Sequence, residues 1–335
     1  MKNKVQSKKV LLSALGLAVA ALCSPLAASA QEITPATDDQ VMSGSISGSG
    51  TTSVKRAPAT TDTSSATELG LGAGPTSIAA DAMGNVWVTL QFSGKLVRLS
   101  SNGAVSGTYV VGQNPTGVAA GKSIWVANNG DDTVTKLGLD GAVLGTFKSG
   151  GEGPEALLIA GEYVWVANER SNTVTKLSAA GALVGTYNVG RRPVALAADS
   201  AGNIWVANNK DDSVTKLSAA GALVGTYPVG RGPFGLAAVG EDVFVSCFFD
   251  GMVLKLSGRT GEAIGKVRVG DGAAGMASYG QNYLVANNGS NSVTVFSADG
   301  VVLGTIKVGR SPLQVAANAY GYWVANAGSH SVSRR

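Results

Sequence analysis

Asn203-Ile-Trp-Val-Ala-Asn-Asn-Lys-Asp-Asp-Ser-Val-Thr-Lys-Leu217 is the stretch that decides the fold. An apolar run around a tryptophan, a polar turn and a second apolar run together make a β-hairpin signature. The same frame recurs along the chain. Trp87, Trp125, Trp165, Trp205 and Trp323 occupy one position of it, and Phe244 and Leu284 fill the two gaps, giving seven repeats spaced 38, 40, 40, 39, 40 and 39 residues apart. That spacing matches the period of about 40 to 50 residues at which four-stranded propeller blades repeat.

Each repeat divides into four short β-segments. In the fourth these begin at Pro193, Asn203, Ser213 and Ala222, and Ser200-Ala-Gly-Asn203, Asn209-Lys-Asp-Asp212 and Ser218-Ala-Ala-Gly221 supply the turns between them. Gly, Asn and Asp suit such turns because they tolerate positive φ or bond their own backbone. No segment carries helical periodicity over the ten or more residues that a helix needs. The expected fold is all-β, a seven-bladed β-propeller of four-stranded blades. A Trp buries roughly 150 to 250 Å², so the five tryptophans are read as packing between blades. The last repeat stops after its third segment, Ser331-Val-Ser-Arg-Arg335, while Ala66-Thr-Glu-Leu-Gly-Leu71 precedes the first repeat in the register of a fourth. An N-terminal strand is therefore expected to close the last blade.

Three regions follow. Residues 1–30 carry Lys2, Lys4, Lys8 and Lys9, an apolar run from Val10 to Cys23 and the cleavage-type pattern Ala28-Ser-Ala30, which together read as a secretory signal. The apolar run is too short to span a membrane, so export to the periplasm or beyond, without a transmembrane anchor, is expected. Cys23 raises lipidation as an alternative, although Leu22 stands where a small residue is needed. Residues 31–65, rich in Ser, Thr and Gly, read as a flexible linker. Residues 66–335 are the propeller. The formal charge of +4 belongs to the signal; beyond residue 30 there are 22 basic and 22 acidic residues. Phosphate binding needs a basic surplus, so a nucleic-acid partner is excluded. Beyond the signal Cys247 is the only cysteine, which leaves it without a disulfide partner and without an evident activating base.

Trp-Val-Ala-Asn-Asn at 125–129 and 205–209, followed by Thr-Val-Thr-Lys-Leu at 133–137, resembles the YVTN and NHL-type propeller repeats of bacterial exported proteins and the streptogramin (virginiamycin B) lyase superfamily. The resemblance covers residues 66–335. It implies, for the lyases, a histidine after the Pro that opens the inner strand in some blades and a Glu closing a Trp-x-x-Glu segment, groups that bind magnesium and move the proton of the elimination. Here the residues after that Pro are Thr76, Thr116, Glu155, Val194, Phe234 and Leu313, and blade six has Ala273-Ala274. The positions for Glu hold Leu90, Asn128, Asn168, Asn208, Cys247, Asn287 and Asn326. The sole histidine, His330, stands where other blades have the turn formers Asp132, Asn172, Asp212 and Asn291.

A catalytic residue and a metal site are therefore not expected, and magnesium enters only with a lyase alternative. The turns after the second and fourth segments emerge on one side of a propeller. They gather Arg191, Arg192, Arg231 and Arg310 with Glu155, Asn128, Asn168 and Asn208, a set suited to an anionic group. The Asp pairs 131–132 and 211–212 lack the six to eight oxygens calcium takes and read as turn formers. Residues 174–187 and 214–227 are identical, so specificity is sought in the divergent blade five, where Phe248 and Phe249 replace polar turn residues. They suit a sugar ring or partner surface, or fill the space between blades. These residues lead to the expectation of a binding or interaction module for a small molecule, glycan or envelope protein, with a cell-envelope structural role as a further alternative.

Overall fold

A computed structural model describes residues 66–335; the signal and linker regions read at 1–30 and 31–65 lie outside the described residues. The chain from Thr67 onward forms seven four-stranded antiparallel sheets. Six sheets use consecutive strands, as in blade four with Pro193–Ala198, Ile204–Asn208, Ser213–Leu217 and Leu223–Pro228. The seventh takes Pro312–Asn318, Gly321–Asn326 and Ser331–Arg334 from the end of the chain and Thr67–Gly70 from its beginning. Glu68 pairs with Ser333 and Leu69 with Val332 in that closure, and the Glu68 carboxylate accepts the Ser331 hydroxyl. Closing the ring in this way completes the seventh four-stranded sheet, so that the chain's first and last strands protect each other's edges.

The core lies between blades. Trp165 packs with Ile204, Val206 and Leu217 of the next blade, and Trp87 does the same with Ile124, Val126 and Leu137. Phe244 and Leu284 take over that place against blades six and seven. The five tryptophans are buried, as the packing reading requires. Over each ring sits the cation of the third strand. Lys176 Nζ lies 5.1 Å from the Trp165 ring centroid and donates to the Ala219 carbonyl of the next blade at 2.8 Å. Lys136 and Lys216 repeat the arrangement. The lysine of Val-Thr-Lys-Leu is thus an inter-blade strut, combining cation–π attraction with a hydrogen bond.

The aromatic residue of Gly-Thr-Tyr adds a second link. Tyr187 stacks obliquely on Trp165 at 5.7 Å, and its hydroxyl donates to the Ala220 carbonyl at 3.0 Å. Its ring covers Gly221, where an added Cβ would lie 2.0 Å from the ring. Gly221 also has φ +94°, so both the backbone and the ring demand glycine there. In blades one and four the first turn is organised by an aspartate. Asp199 accepts the Trp205 indole at 2.9 Å and the backbone N–H of Asn203 at 2.8 Å. Burial works against its charge, but the Asn203 and Trp205 hydrogen bonds outweigh it and hold the carboxyl below its ordinary value.

The turn reading of His330 is borne out. Asp132, Asn172, Asp212, Asn291 and His330 all have φ between 49° and 58°, the left-handed region that Asn, Asp and His tolerate best. Asp132 Oδ1 accepts the Gly153 N–H at 2.7 Å and Asp212 Oδ1 the Gly232 N–H at 2.8 Å, so these acids brace the step into the next blade.

Trp165→Ala is expected to lose about 3 to 5 kcal/mol in chemical denaturation, as buried aromatic truncations do, whereas the exposed His330→Asn, which keeps a residue that tolerates the left-handed turn, changes stability by no more than about 0.5 kcal/mol. Gly202 has φ +81° but an added Cβ there would meet only Ala219, at an ordinary 3.8 Å. Gly221→Ala should therefore cost more than Gly202→Ala, by the roughly 1 to 3 kcal/mol of overpacking. In a Tyr187→Ala background the two losses should converge; a persisting difference would contradict the ring contact.

Candidate functional site

Every inner strand opens with a β-bulge. The register shifts directly after Pro75, Pro115, Pro154, Pro193, Pro233, Ala273 and Pro312, one extra residue being inserted each time. A bulge leaves its extra residue outside the ladder and re-aims its side chain. The residues that follow these positions are Thr76, Thr116, Glu155, Val194, Phe234, Ala274 and Leu313, one per blade; Thr116, Val194, Ala274 and Leu313 are buried, and Thr116 donates to the Pro154 carbonyl of the next blade at 2.9 Å. Beside each stands the residue after the second strand: Gln91, Asn129, Glu169, Asn209, Phe248, Asn288 and Ala327. The two series divide the mouth. Blades one to three offer Thr, Thr and Glu over Gln, Asn and Glu, whereas blades five to seven offer Phe, Ala and Leu over Phe, Asn and Ala.

A polar network occupies the first half. The Asn129 amide nitrogen donates to Glu155 Oε2 at 3.2 Å and to Glu169 Oε1 at 3.3 Å. Arg192 Nε donates to Glu169 Oε2 at 3.2 Å. Arg170 holds the Asn129 side-chain and backbone carbonyls, both at 2.8 Å, and forms an ion pair with Asp132 at 2.6 Å. Both Glu169 oxygens are thus taken, while Glu155 accepts through Oε2. Burial pushes the Glu155 carboxyl up to about 8, and the Glu169 charge adds to the rise; Arg192, the Asn129 hydrogen bond and Arg170 oppose it. Burial thus favours the protonated form of Glu155, which shares the Asn129 amide with Glu169.

The apolar half centres on blade five. Phe248 begins a short 3₁₀ turn, Phe248–Asp250, and its ring lies 5.8 Å from Phe234 and 5.2 Å from Phe249. Phe249 is 64% exposed, so the pair combines a packed ring with a presented one. Blade one has the same turn at Gln91–Ser93 with Phe92 65% exposed, a second presented aromatic that the repeat comparison also encodes. Asn288 donates to the Pro312 carbonyl at 3.2 Å.

The structure separates the other residues expected at the site. Asn128, Asn168 and Asn208 are fully buried inside their blades, where their amides donate to Thr135, Thr175 and Thr215 at 2.8 to 2.9 Å. They fasten strands and do not line the mouth. Arg191 clamps Asp211 of its neighbouring turn through backbone and side-chain N–H groups, and Arg231 does the same with Asp250, its Nε bond being 2.8 Å. Both guanidinium groups lie largely in solvent with a carboxylate already engaged, so they form a rim. Arg310 is exposed on that rim, its backbone N–H held by Ser329. Arg192 is the one arginine of the four that turns inward to the network. Asn129, Glu169, Arg170 and Phe234 were not singled out from the sequence as site residues. Glu169-Arg170 was legible as a departure from the Asn-Gly and Asn-Lys pairs at 129–130 and 209–210.

Magnesium chemistry does not fit these residues. Both Glu169 oxygens accept hydrogen bonds within the network, and among the described residues no three His, Cys, Asp or Glu side chains converge on a metal position. Cys247 takes the blade-five station of the buried asparagines, and burial pushes its thiol up to about 12, so it is no nucleophile near neutral pH.

No family model and no curated protein matches the chain. Solved structures do match its fold. A streptogramin B lyase superposes with a TM-score of 0.71 at 17% identity, covering 80% of this chain and 96% of that one. Selenomethionine-substituted virginiamycin B lyase from Staphylococcus aureus gives 0.70 at 13% identity, with coverage of 80% and 97%. Kuenenia stuttgartiensis hydrazine synthase gives 0.72 at 16% identity, with coverage of 82% and 97%. The likeness read from the repeats therefore extends to the architecture, and at these identities it is a likeness of fold.

The raised Glu155 pKa sets a sign for pH dependence. Between the ordinary carboxylate value and about 8 the folded chain holds a proton that the unfolded chain has lost, so this group's contribution to stability falls as pH rises through that window. Glu155→Gln, which cannot ionise, should raise the melting temperature at pH 8.5 relative to wild type and show a smaller difference at pH 5. A difference that does not change with pH would remove Glu155 as the titrating group.

Proposed function

We propose that the chain is an exported, non-catalytic binding or interaction module whose ligand sits at the mouth between Glu155 and the Phe234–Phe248–Phe249 cluster. The division of the mouth into a polar and an apolar half carries this reading. The deviations from the repeat, Glu155, Glu169, Arg170 and Arg192 on one side and the three phenylalanines on the other, gather at the same stations, while the devices that hold the blades together are reiterated. Binding sites combine apolar lining with a few placed polar groups in this manner. A small molecule, glycan or envelope protein is the partner class, Arg191, Arg231 and Arg310 form the outer rim of the same face, and no cofactor is invoked. No helix among the described residues is long and apolar enough to cross a membrane.

The envelope-structural alternative has one specific support. The outermost strands expose Leu183 and Val184 in blade three and Leu223 and Val224 in blade four, an apolar edge suited to lateral association. Co-sedimentation with the envelope that survives changes at the mouth would favour it.

A panel of cell-wall fragments, glycans and envelope extracts tests the main proposal by ligand-induced stabilisation of residues 31–335, since a ligand at 100 times its Kd adds about 2.7 kcal/mol. The double change Phe248→Ala and Phe249→Ala is expected to abolish that stabilisation without preventing folding, and EDTA is expected to leave it unchanged. Binding that survives the double change places the site elsewhere, and binding lost in EDTA replaces this reading with a metal-dependent one.

A further inference from the structure

The outer strands of the first two blades flank a groove of about 470 Å³, away from the polar and aromatic clusters of the mouth. It is lined by the apolar Val110 and Val143, the hydroxyl-bearing Thr133 and Thr146, and two opposite charges, Asp131 and Lys148. Val110 sets it apart from the rest of the ring. The outer strand ends in Val110 in blade one but in Lys148, Asn188, Pro228, Arg268 and Lys307 in blades two to six. Of these six, Val110 alone brings a branched aliphatic side chain, and it is 74% exposed.

Local hydrogen bonds place the polar groups of the groove. Asn128 Oδ1 accepts the Gly112 N–H at 3.0 Å, and its amide donates to Thr133 Oγ1 at 3.0 Å, which ties the exit of blade one to the third strand of blade two. Thr133 Oγ1 is thereby an acceptor within the fold, and its own hydrogen remains to be given. Thr133 is the direct cross-strand partner of Lys148, so a hydroxyl donor and an ammonium share one side of the sheet. Asp131 stands beside the exit of blade one. Its Oδ2 accepts the Gln113 N–H at 2.6 Å, and a Cβ added at Gly112 would lie 2.6 Å from the same oxygen. Among the described residues Asp131 Oδ1 and Lys148 Nζ have no hydrogen-bond partner, and neither residue belongs to an ion pair. Two opposite charges on one groove, neither of them answered by the fold, are complementary to a molecule that carries both.

We propose that this groove binds a small aliphatic zwitterion, an α-amino acid with a branched side chain, at a site separate from the mouth. The ligand carboxylate accepts from Lys148 Nζ and the Thr133 hydroxyl, its ammonium donates to Asp131 Oδ1, and its side chain rests on Val110 and Val143. Charge-assisted bonds at both ends fix the orientation, and the valines supply the apolar contact that small-molecule sites combine with a few polar groups. A ligand carrying one charge alone leaves the opposite residue desolvated and unpaired, which lowers its affinity.

L-Leucine and two analogues that each lack one charge test the assignment, 4-methylpentanoate without the ammonium and 3-methylbutylamine without the carboxylate. NMR titration of the purified protein at about pH 7, where all three probes carry their full charge, is expected to show leucine binding about fivefold more tightly than either analogue, the upper range of what one exposed charge pair supplies. Lys148→Gln should bring leucine down to the affinity of 3-methylbutylamine. Asp131→Asn, which can still accept the Gln113 N–H, should bring it down to that of 4-methylpentanoate. Val110→Lys, which installs the residue of blades two and six, should abolish leucine binding. Circular dichroism checks that each variant is folded, and the wild-type comparison of the three probes decides even where a variant is not. Analogues that bind as tightly as leucine, leucine affinity unchanged in Lys148→Gln and Asp131→Asn, or no leucine binding at about 10 mM, well above a millimolar Kd, each overturn the proposal and leave the mouth reading as it stands. The Phe248→Ala and Phe249→Ala double change should leave leucine binding intact; binding lost in that variant and kept in Lys148→Gln moves this ligand to the mouth and overturns the groove.

Discussion

Burial of one large side chain from each blade against the next is the interaction on which the rest of this structure depends. A four-stranded sheet has two faces and cannot cover either alone. Trp165 against Ile204, Val206 and Leu217 shows the solution, and Phe244 and Leu284 preserve it where tryptophan is lost. Around this contact the repeat adds a lysine strut, an aromatic laid over a glycine and an aspartate or asparagine brace in the turn. Each of these joins one blade to its successor. No blade is a stable unit in isolation, so the ring depends on closure, and Thr67–Gly70 supplies the strand that the chain's last repeat lacks.

This design separates stability from specificity. The groups that hold blades together are repeated, and residues 174–187 and 214–227 can be identical because both do the same mechanical work. The inner-strand bulges contribute nothing to the ladder at their extra residue, which frees that position to vary. Thr116, Glu155, Val194 and Phe234 at consecutive stations show how widely it does. A polar cluster and an aromatic cluster therefore share one mouth while the scaffold beneath them stays regular.

Electrostatics divides the arginines in the same way. Arg191 and Arg231 meet aspartates in the adjacent turn at the solvent edge, where screening leaves an ion pair little worth. Arg192 turns inward to Glu169, where both partners are largely shielded. Burial, with the Glu169 charge beside it, pushes the Glu155 carboxyl up, while Arg192, the Asn129 hydrogen bond and Arg170 oppose the rise. The fold shared with streptogramin B lyase and hydrazine synthase does not select among functions, because function resides in such stations and not in the scaffold.

The sequence by itself determined the architecture. A tryptophan frame of fixed period, turn residues at fixed offsets and a missing last segment leave one way to bury seven apolar stripes, and these patterns are local properties that survive without coordinates. It also placed His330 correctly, since the left-handed turn is encoded by its Asp and Asn counterparts. Only the tertiary structure decided which polar residues meet. Asn128, Asn168 and Asn208 looked like site residues but point into their own blades, because the alternation of a strand does not tell which polar side chain finds a buried threonine. The meeting of Asn129, Glu155, Glu169 and Arg192 spans three blades and 63 residues of chain, and it arises from the curvature of the ring and the bulge at Pro154, neither of which sequence spacing measures.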